Sequence, residues 1–192
     1  QIFTSDAAKA VFANDGWPGI KMDPVHIHFT DSLPPYLRMR SRNIPTELIP
    51  AAKFALDQYA ESGYLVRVND GTYGAALVVV RKPDGTARLC GDYRAINKHA
   101  TGIPLMMPDV QTELENMQPF QLFTELDWAT AFHQIPLDDE SSQRLAISTQ
   151  WGLYRPRFVP EGITCGSALL MTHAQRIFSD FRPWALALHD NL

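Results

Sequence analysis

The longest uninterrupted apolar run, Ala75 to Val80, has six residues and is followed by Arg81, Lys82 and the turn-forming Pro83-Asp84-Gly85. A membrane-spanning helix needs about 20 apolar residues, so this run is far too short to cross a bilayer. It has the length and β-branched character of a buried strand, and Arg88 to Cys90 beyond the turn reads as its antiparallel return. A sheet therefore organises the middle of the chain.

Helical spacing brackets this hairpin. Ile49, Ala52, Leu56 and Tyr59 share one face, with Thr46 expected as N-cap, Pro50 in the first turn and Gly63 as terminator. Ser167 to Phe181 repeats the pattern, placing Leu170, Ala174, Ile177 and Phe181 together. Strands are expected over Val25–Phe29, Leu122–Leu126 and Trp184–Leu188, and Leu145–Gln150 with Leu153–Val159 as a pair around Trp151-Gly152. Strands interleaved with helices in this order give an α+β fold, an antiparallel sheet with helices packed on one face. Asp127 and Asp190, far apart in sequence, each end a strand, and adjacent strands would bring them to one edge.

Composition narrows the function classes. Two cysteines, Cys90 and Cys165, exclude a disulfide framework and a four-cysteine zinc site, and they suit a reducing intracellular compartment. The net charge of −4 speaks against a purely electrostatic nucleic-acid binder. Its distribution is uneven, however: residues 35–100 carry ten Lys or Arg against six Asp or Glu, and residues 101–192 carry five against eleven. A basic half beside an acidic half fits a phosphate-binding surface facing a metal site, or an ordinary uneven surface. Paired carboxylates on a rigid sheet suit Mg²⁺, a hard cation that keeps room for substrate phosphates. His26-Ile27-His28 would place two imidazoles on one strand face without a nearby third ligand. Gly71 to Gly74 does not match a phosphate loop opening a helix.

The text of the hairpin is more specific than its periodicity. Residues 78–98, V-V-V-R-K-P-D-G-T-A-R-L-C-G-D-Y-R-A-I-N-K, resemble the fingers hairpin of reverse transcriptases, closest to the gypsy class of LTR retrotransposons, V-K-K-D-G-x-x-R-x-C-x-D-Y-R-x-L-N. Glu125-Leu126-Asp127 with Ala131-Phe132-His133-Gln134-Ile135 is similar to that family's first metal-binding motif. Tyr154 to Thr164 is similar to Y-x-F-x-x-M-P-F-G-L-T, and Leu188-His189-Asp190-Asn191 stands where the family carries Y-x-D-D. The four motifs occur in order and cover roughly residues 34 to 192.

The resemblance implies fingers and palm with no thumb, divided as an extended arm over 1–45, fingers over 46–117 and palm over 118–192. It implies that Lys82 and Arg88 contact the triphosphate of an incoming deoxynucleotide, and that Asp92 and Arg94 lie near the template. It makes Phe132 a steric gate against a 2′-hydroxyl, and Asp127 and Asp190 the ligands of Mg²⁺, if activity is retained. Departures fall on the catalytic positions. Asn191 replaces the second acid of Y-x-D-D and Leu188 replaces its Tyr, while Glu161 sets a carboxylate in the nucleotide pocket. His189 occupies the variable position, open either to a general-acid reading or to a tolerated substitution.

Three functions remain open at this point: a reverse-transcriptase domain with impaired or absent polymerase activity, a domesticated non-catalytic structural subunit, or a non-catalytic nucleic-acid-binding module. The expected partners are a primer–template and a deoxynucleotide in the first case. Otherwise they are neighbouring protein chains that complete the palm edge, with no cofactor. Gln1 in place of Met points to a processed or excised piece. The end at Leu192, directly after the degenerate motif, points to a longer natural chain or to completion by another chain.

Overall fold

The computed structural model describes residues 19–103, 109–117, 121–122, 124–125, 128 and 130–181. Within them a short strand β1 (Leu37–Arg38) leads through a 3₁₀ turn (Thr46–Leu48) into helix α1 (Ile49–Glu61). Strands β2 (Leu65–Val68), β3 (Tyr73–Arg81) and β4 (Ala87–Asp92) follow, then helices α2 (Arg94–Asn97) and α3 (Val110–Met117). A 3₁₀ turn (Ala131–Gln134) precedes helix α4 (Asp139–Arg144), strands β5 (Ile147–Thr149) and β6 (Gly152–Pro156), helix α5 (Gly166–Ile177) and a last 3₁₀ turn (Ser179–Phe181).

The hairpin forms where its turn chemistry places it. β3 and β4 pair antiparallel from Ala76 opposite Asp92 to Arg81 opposite Ala87. Gly85 takes φ +85°, and the Asp84 carboxylate accepts from the Thr86 amide at 2.9 Å and its hydroxyl at 2.6 Å. An Asp that satisfies the backbone two residues on is the local reason for the tight turn. The strand extends back to Tyr73, because Tyr73 and Gly74 pair in parallel with Leu37 and Arg38 of β1.

The sheet draws strands from both halves of the chain. β5 pairs parallel with β3, β6 antiparallel with β5, and β2 antiparallel with β6, giving the order β1-β3-β5-β6-β2 with β4 also on β3. The described sheet is thus mixed, and the β5–β6 pair, expected on the palm, is hydrogen-bonded to strands of the 46–117 segment. Of the palm strand expected over Leu122–Leu126, Leu122, Thr124 and Glu125 are exposed and belong to no strand; Phe123 and Leu126 lie outside the described residues. A strand needs a neighbour for its backbone groups, and none is paired there among the described residues. The strand expected over Trp184–Leu188 also lies outside them.

One continuous core fills the space between sheet and helices. Ile27, Leu56, Leu77, Ile135, Leu145, Leu153, Leu170 and Met171 are all but fully buried in it. α1 rests on β2 and β4 through Ala52 and Leu56, and Gly63 at φ +76° ends it as expected. Thr46 is not its N-cap. It opens the 3₁₀ turn, and no side chain caps either start, because Pro45 and Leu48 occupy the cap positions. In α5, Leu170 and Ala174 are buried, but Ile177 at its end is 42% exposed, and Phe181, expected on the same helix, lies in the last 3₁₀ turn and is 58% exposed.

The arm contributes a clasp instead of a strand. Expected as a strand, Val25–Phe29 makes only isolated bridges, Val25 with Leu137 and Phe29 with Ala100, because its hydrogen bonds are split between two segments. The Ile27 amide donates to the buried Ser141 hydroxyl at 2.8 Å, while the Thr101 amide donates to the His28 carbonyl at 2.8 Å.

Candidate functional site

The β3–β4 hairpin projects Lys82 and Arg88 beyond the core, and both side chains are exposed. Arg88 does not point freely into solvent: its Nη2 donates to Oε2 of Glu161, across 73 residues of sequence. The Arg88 side chain is 50% exposed and that of Glu161 32%, so the pair lies at the mouth of the site. The carboxylate beside it raises the Arg88 guanidinium above its ordinary pKa through hydrogen bonding and charge. Lys82 takes part in no ion pair among the described residues.

Glu161 is held in place through its backbone. The Asn97 side chain, at the end of α2, donates to the Gly162 carbonyl at 2.9 Å and accepts from the Thr164 amide at 3.1 Å. Gly162 adopts φ +92°, a conformation that favours glycine, with Pro160 fixing the residue on the other side of Glu161. The 160–164 turn therefore forms a short shelf against β4. Behind it lies a narrow cleft lined by Tyr59, Tyr64, Cys90, His133, Pro160 and Glu161. His133 is 6% exposed and stacks on Tyr64 with centroids 4.0 Å apart, and burial pushes its pKa down to about 4. Burial likewise raises the Cys90 thiol, so the cleft favours neutral groups. Both cysteines are free.

Asp92 and Arg94, expected beside the template, bond to each other. Arg94 Nε donates to Oδ1 at 2.8 Å and Nη2 to Oδ2 at 2.7 Å, a bidentate fork, and Arg42 adds a second guanidinium to Oδ2. Hydrogen bonding from Arg94, with the charge of both arginines, holds the Asp92 carboxyl down at about 2. Two arginines on one carboxylate leave a net positive charge at this end of β4.

Phe132 lies in the 3₁₀ turn entered from Thr130, which takes the left-handed φ of +50°. It is half-buried, and a Cβ on Gly166, the first residue of α5, would stand 3.4 Å from its ring. The structure thus gathers Arg88, Glu161 and Asn97 at one mouth, and sets the Asp92–Arg94–Arg42 cluster at the far end of β4.

Asp127, Asp190, Asn191, Leu188 and His189 lie outside the described residues. Among the described residues no three His, Cys, Asp or Glu side chains gather into a metal site. His26 and His28 do come together, with centroids 4.7 Å apart, but Nδ1 of His26 is engaged by Asp138 at 2.6 Å. No helix among the described residues is long and apolar enough to cross a membrane.

Sequence reasoning passed over Asn97 and Arg42. Asn97 closes the fingers motif and could have been singled out from its place in it. Arg42 carries no local signal, since its partner is 50 residues away. His133 reads in sequence as an ordinary member of a motif, and only packing reveals its burial.

Comparison with known proteins bears on the family and the fold. Residues 80–189 match the family model for reverse transcriptase (RNA-dependent DNA polymerase). A retrovirus-related Pol polyprotein from transposon 297 of Drosophila melanogaster is 33% identical over 104 residues, 52% of this chain and 10% of that protein. The transposon Tf2-3 polyprotein of Schizosaccharomyces pombe is 26% identical over 132 residues, 69% of this chain and 10% of that protein. The chain spans about a tenth of the length of these curated relatives. The protease-reverse transcriptase of prototype foamy virus superposes with a TM-score of 0.76 at 22% identity, over 96% of this chain and 26% of that one. The foamy viral enzyme in complex with ds DNA gives 0.73 at 21% identity, over 96% and 33%. These likenesses establish the fingers-and-palm fold, a mixed α+β architecture with helices on one face of a curled sheet.

Proposed function

The chain belongs to the reverse transcriptase (RNA-dependent DNA polymerase) family, and from that premise we propose that it is the fingers-and-palm portion of a retroelement polymerase that engages a primer–template but incorporates deoxynucleotides poorly or not at all. The order of its motifs and its transposon relatives support an origin in the gypsy class of LTR retrotransposons. Residues 46–117 serve as fingers and 118–192 as palm, with β5 and β6 joining the fingers sheet.

The observation that carries the reading of weakened activity is the Arg88–Glu161 ion pair. In this reading Arg88 is the guanidinium for the incoming triphosphate, and it already holds a carboxylate. Asn191 adds a second defect, since an amide in place of a carboxylate removes one negative charge where divalent ions gather. Asp127 and Asp190 are the groups that would hold Mg²⁺, which would supply charge stabilisation for the departing pyrophosphate. Phe132 supports selection of deoxynucleotides as the flat ring beneath the sugar. The Asp92–Arg94–Arg42 cluster keeps net positive charge for a template phosphate.

The foamy viral enzyme has been captured with ds DNA and with an RNA/DNA hybrid, which supports a nucleic-acid partner here. Fluorescence anisotropy with a labelled RNA–DNA primer–template tests this. Affinity should fall steeply between about 50 and 200 mM salt, as phosphate contacts release counterions. Weak, salt-insensitive binding would refute the reading and leave the alternative of a non-catalytic structural subunit contacting neighbouring chains.

A further inference from the structure

Glu161 sits on the one hairpin arginine that the proposed function assigns to the triphosphate, and its surroundings leave it little freedom to sit elsewhere. Its neighbours in sequence are Pro160 and the left-handed Gly162, and Asn97 fastens the following turn through two hydrogen bonds. The pair can separate only through side-chain torsions, those of Glu161 or of the half-exposed Arg88. Both partners face solvent in part, so an anion can reach the pair without opening the core. Arg88 offers a planar fork that accepts a phosphate as readily as a carboxylate.

We propose that Glu161 is a built-in competitor for the nucleotide's phosphates, an internal anion that occupies Arg88 until a polyphosphate displaces it. This rests on the nucleotide-site reading and adds a competing internal anion to it. Binding then requires the ligand to break the pair and to tolerate the released carboxylate nearby. A polyphosphate with several charges can compensate through Lys82 as well as Arg88, whereas a single phosphate meets the same obstacle with fewer contacts. The residue therefore lowers the affinity of the site for phosphate ligands, since each must displace the carboxylate and then bear its repulsion.

The test is calorimetric titration of the 192-residue chain with tripolyphosphate, with dTTP in Mg²⁺ as a second probe. Glu161→Gln keeps the size of the side chain and removes its charge, and Glu161→Ala provides a second release of Arg88. Both should tighten tripolyphosphate binding by about tenfold, the size of effect expected for a half-exposed pair plus relief of like-charge repulsion. The gain should vanish when Arg88→Ala is combined with either. Unchanged or weaker binding by the Glu161 variants, or a gain that survives without Arg88, would overturn the proposal. If neither probe binds any variant while the primer–template still binds with a steep salt dependence, the competitor role falls and the family function stands. Loss of primer–template binding as well would sink both.

Discussion

Acidification should destabilise this fold through His133 as pH falls from 6.5 towards 4, and His133→Phe isolates the effect. The imidazole is 6% exposed, stacked on Tyr64 and edge-on to Tyr59 at 5.9 Å. Burial is the main cause of its lowered pKa, with Glu161 pulling upward and Arg88 downward. The unfolded chain takes up a proton near pH 6.5, whereas the folded chain does so only near 4. The associated stability is fully present above pH 6.5 and is lost as pH falls towards 4. At about 1.4 kcal/mol per pH unit, the whole gap corresponds to about 3.5 kcal/mol. Phenylalanine keeps the aromatic stack and removes the titration. Urea unfolding of both proteins at pH 7.5, 5.5 and 4.5 should show the wild type losing about 2.5 kcal/mol more than the variant by pH 4.5. A residual slope in the variant is expected from His173, whose pKa burial also lowers. Asp84, Asp92, Asp109 and Asp138, all held below the ordinary carboxylate value of 3.8, act only at lower pH. Parallel stability profiles for wild type and His133→Phe would refute the linkage.

Two structural predictions accompany it. Asn97→Ala removes both bonds to the 160–164 turn and should cost about 1–2 kcal/mol in urea unfolding, while weakening the hold on Glu161 enough to raise tripolyphosphate affinity. Asp138→Ala deletes the cap on the Ser141 amide, accepted at 2.9 Å, and the contact with His26. Its cost should be about 1–2 kcal/mol, mostly from the cap, because the half-exposed His26 pair is screened by solvent. Proteolysis of the arm should accelerate in the same variant.

The hairpin was legible because its information is local: a β-branched run, an Asp-Gly turn and a return strand within twenty residues. The end of α1 at Gly63 was legible for the same reason. Its start was not, since Thr46 has the chemistry of a cap but precedes a 3₁₀ turn whose geometry follows from Pro45 and Pro50. The partners of β5 and β6 were hidden because parallel pairing of β5 with β3 and docking of β6 on β2 are long-range choices made by the core. Charge was legible only in part. Lys82, Arg88, Asp92 and Arg94 read as ligands for nucleic acid or nucleotide, yet three of them first satisfy one another or Glu161. Sequence displays which charges exist, and only the fold shows which remain available to a ligand.

Primer extension on an RNA template with Mg²⁺ tests the central claim most directly, comparing wild type with Asn191→Asp combined with Glu161→Gln. Little or no deoxynucleotide incorporation by the wild type, with a rise of tenfold or more in the double variant that Asp127→Ala abolishes, is the expected result. Efficient incorporation by the wild type, unaffected by either substitution, would contradict it.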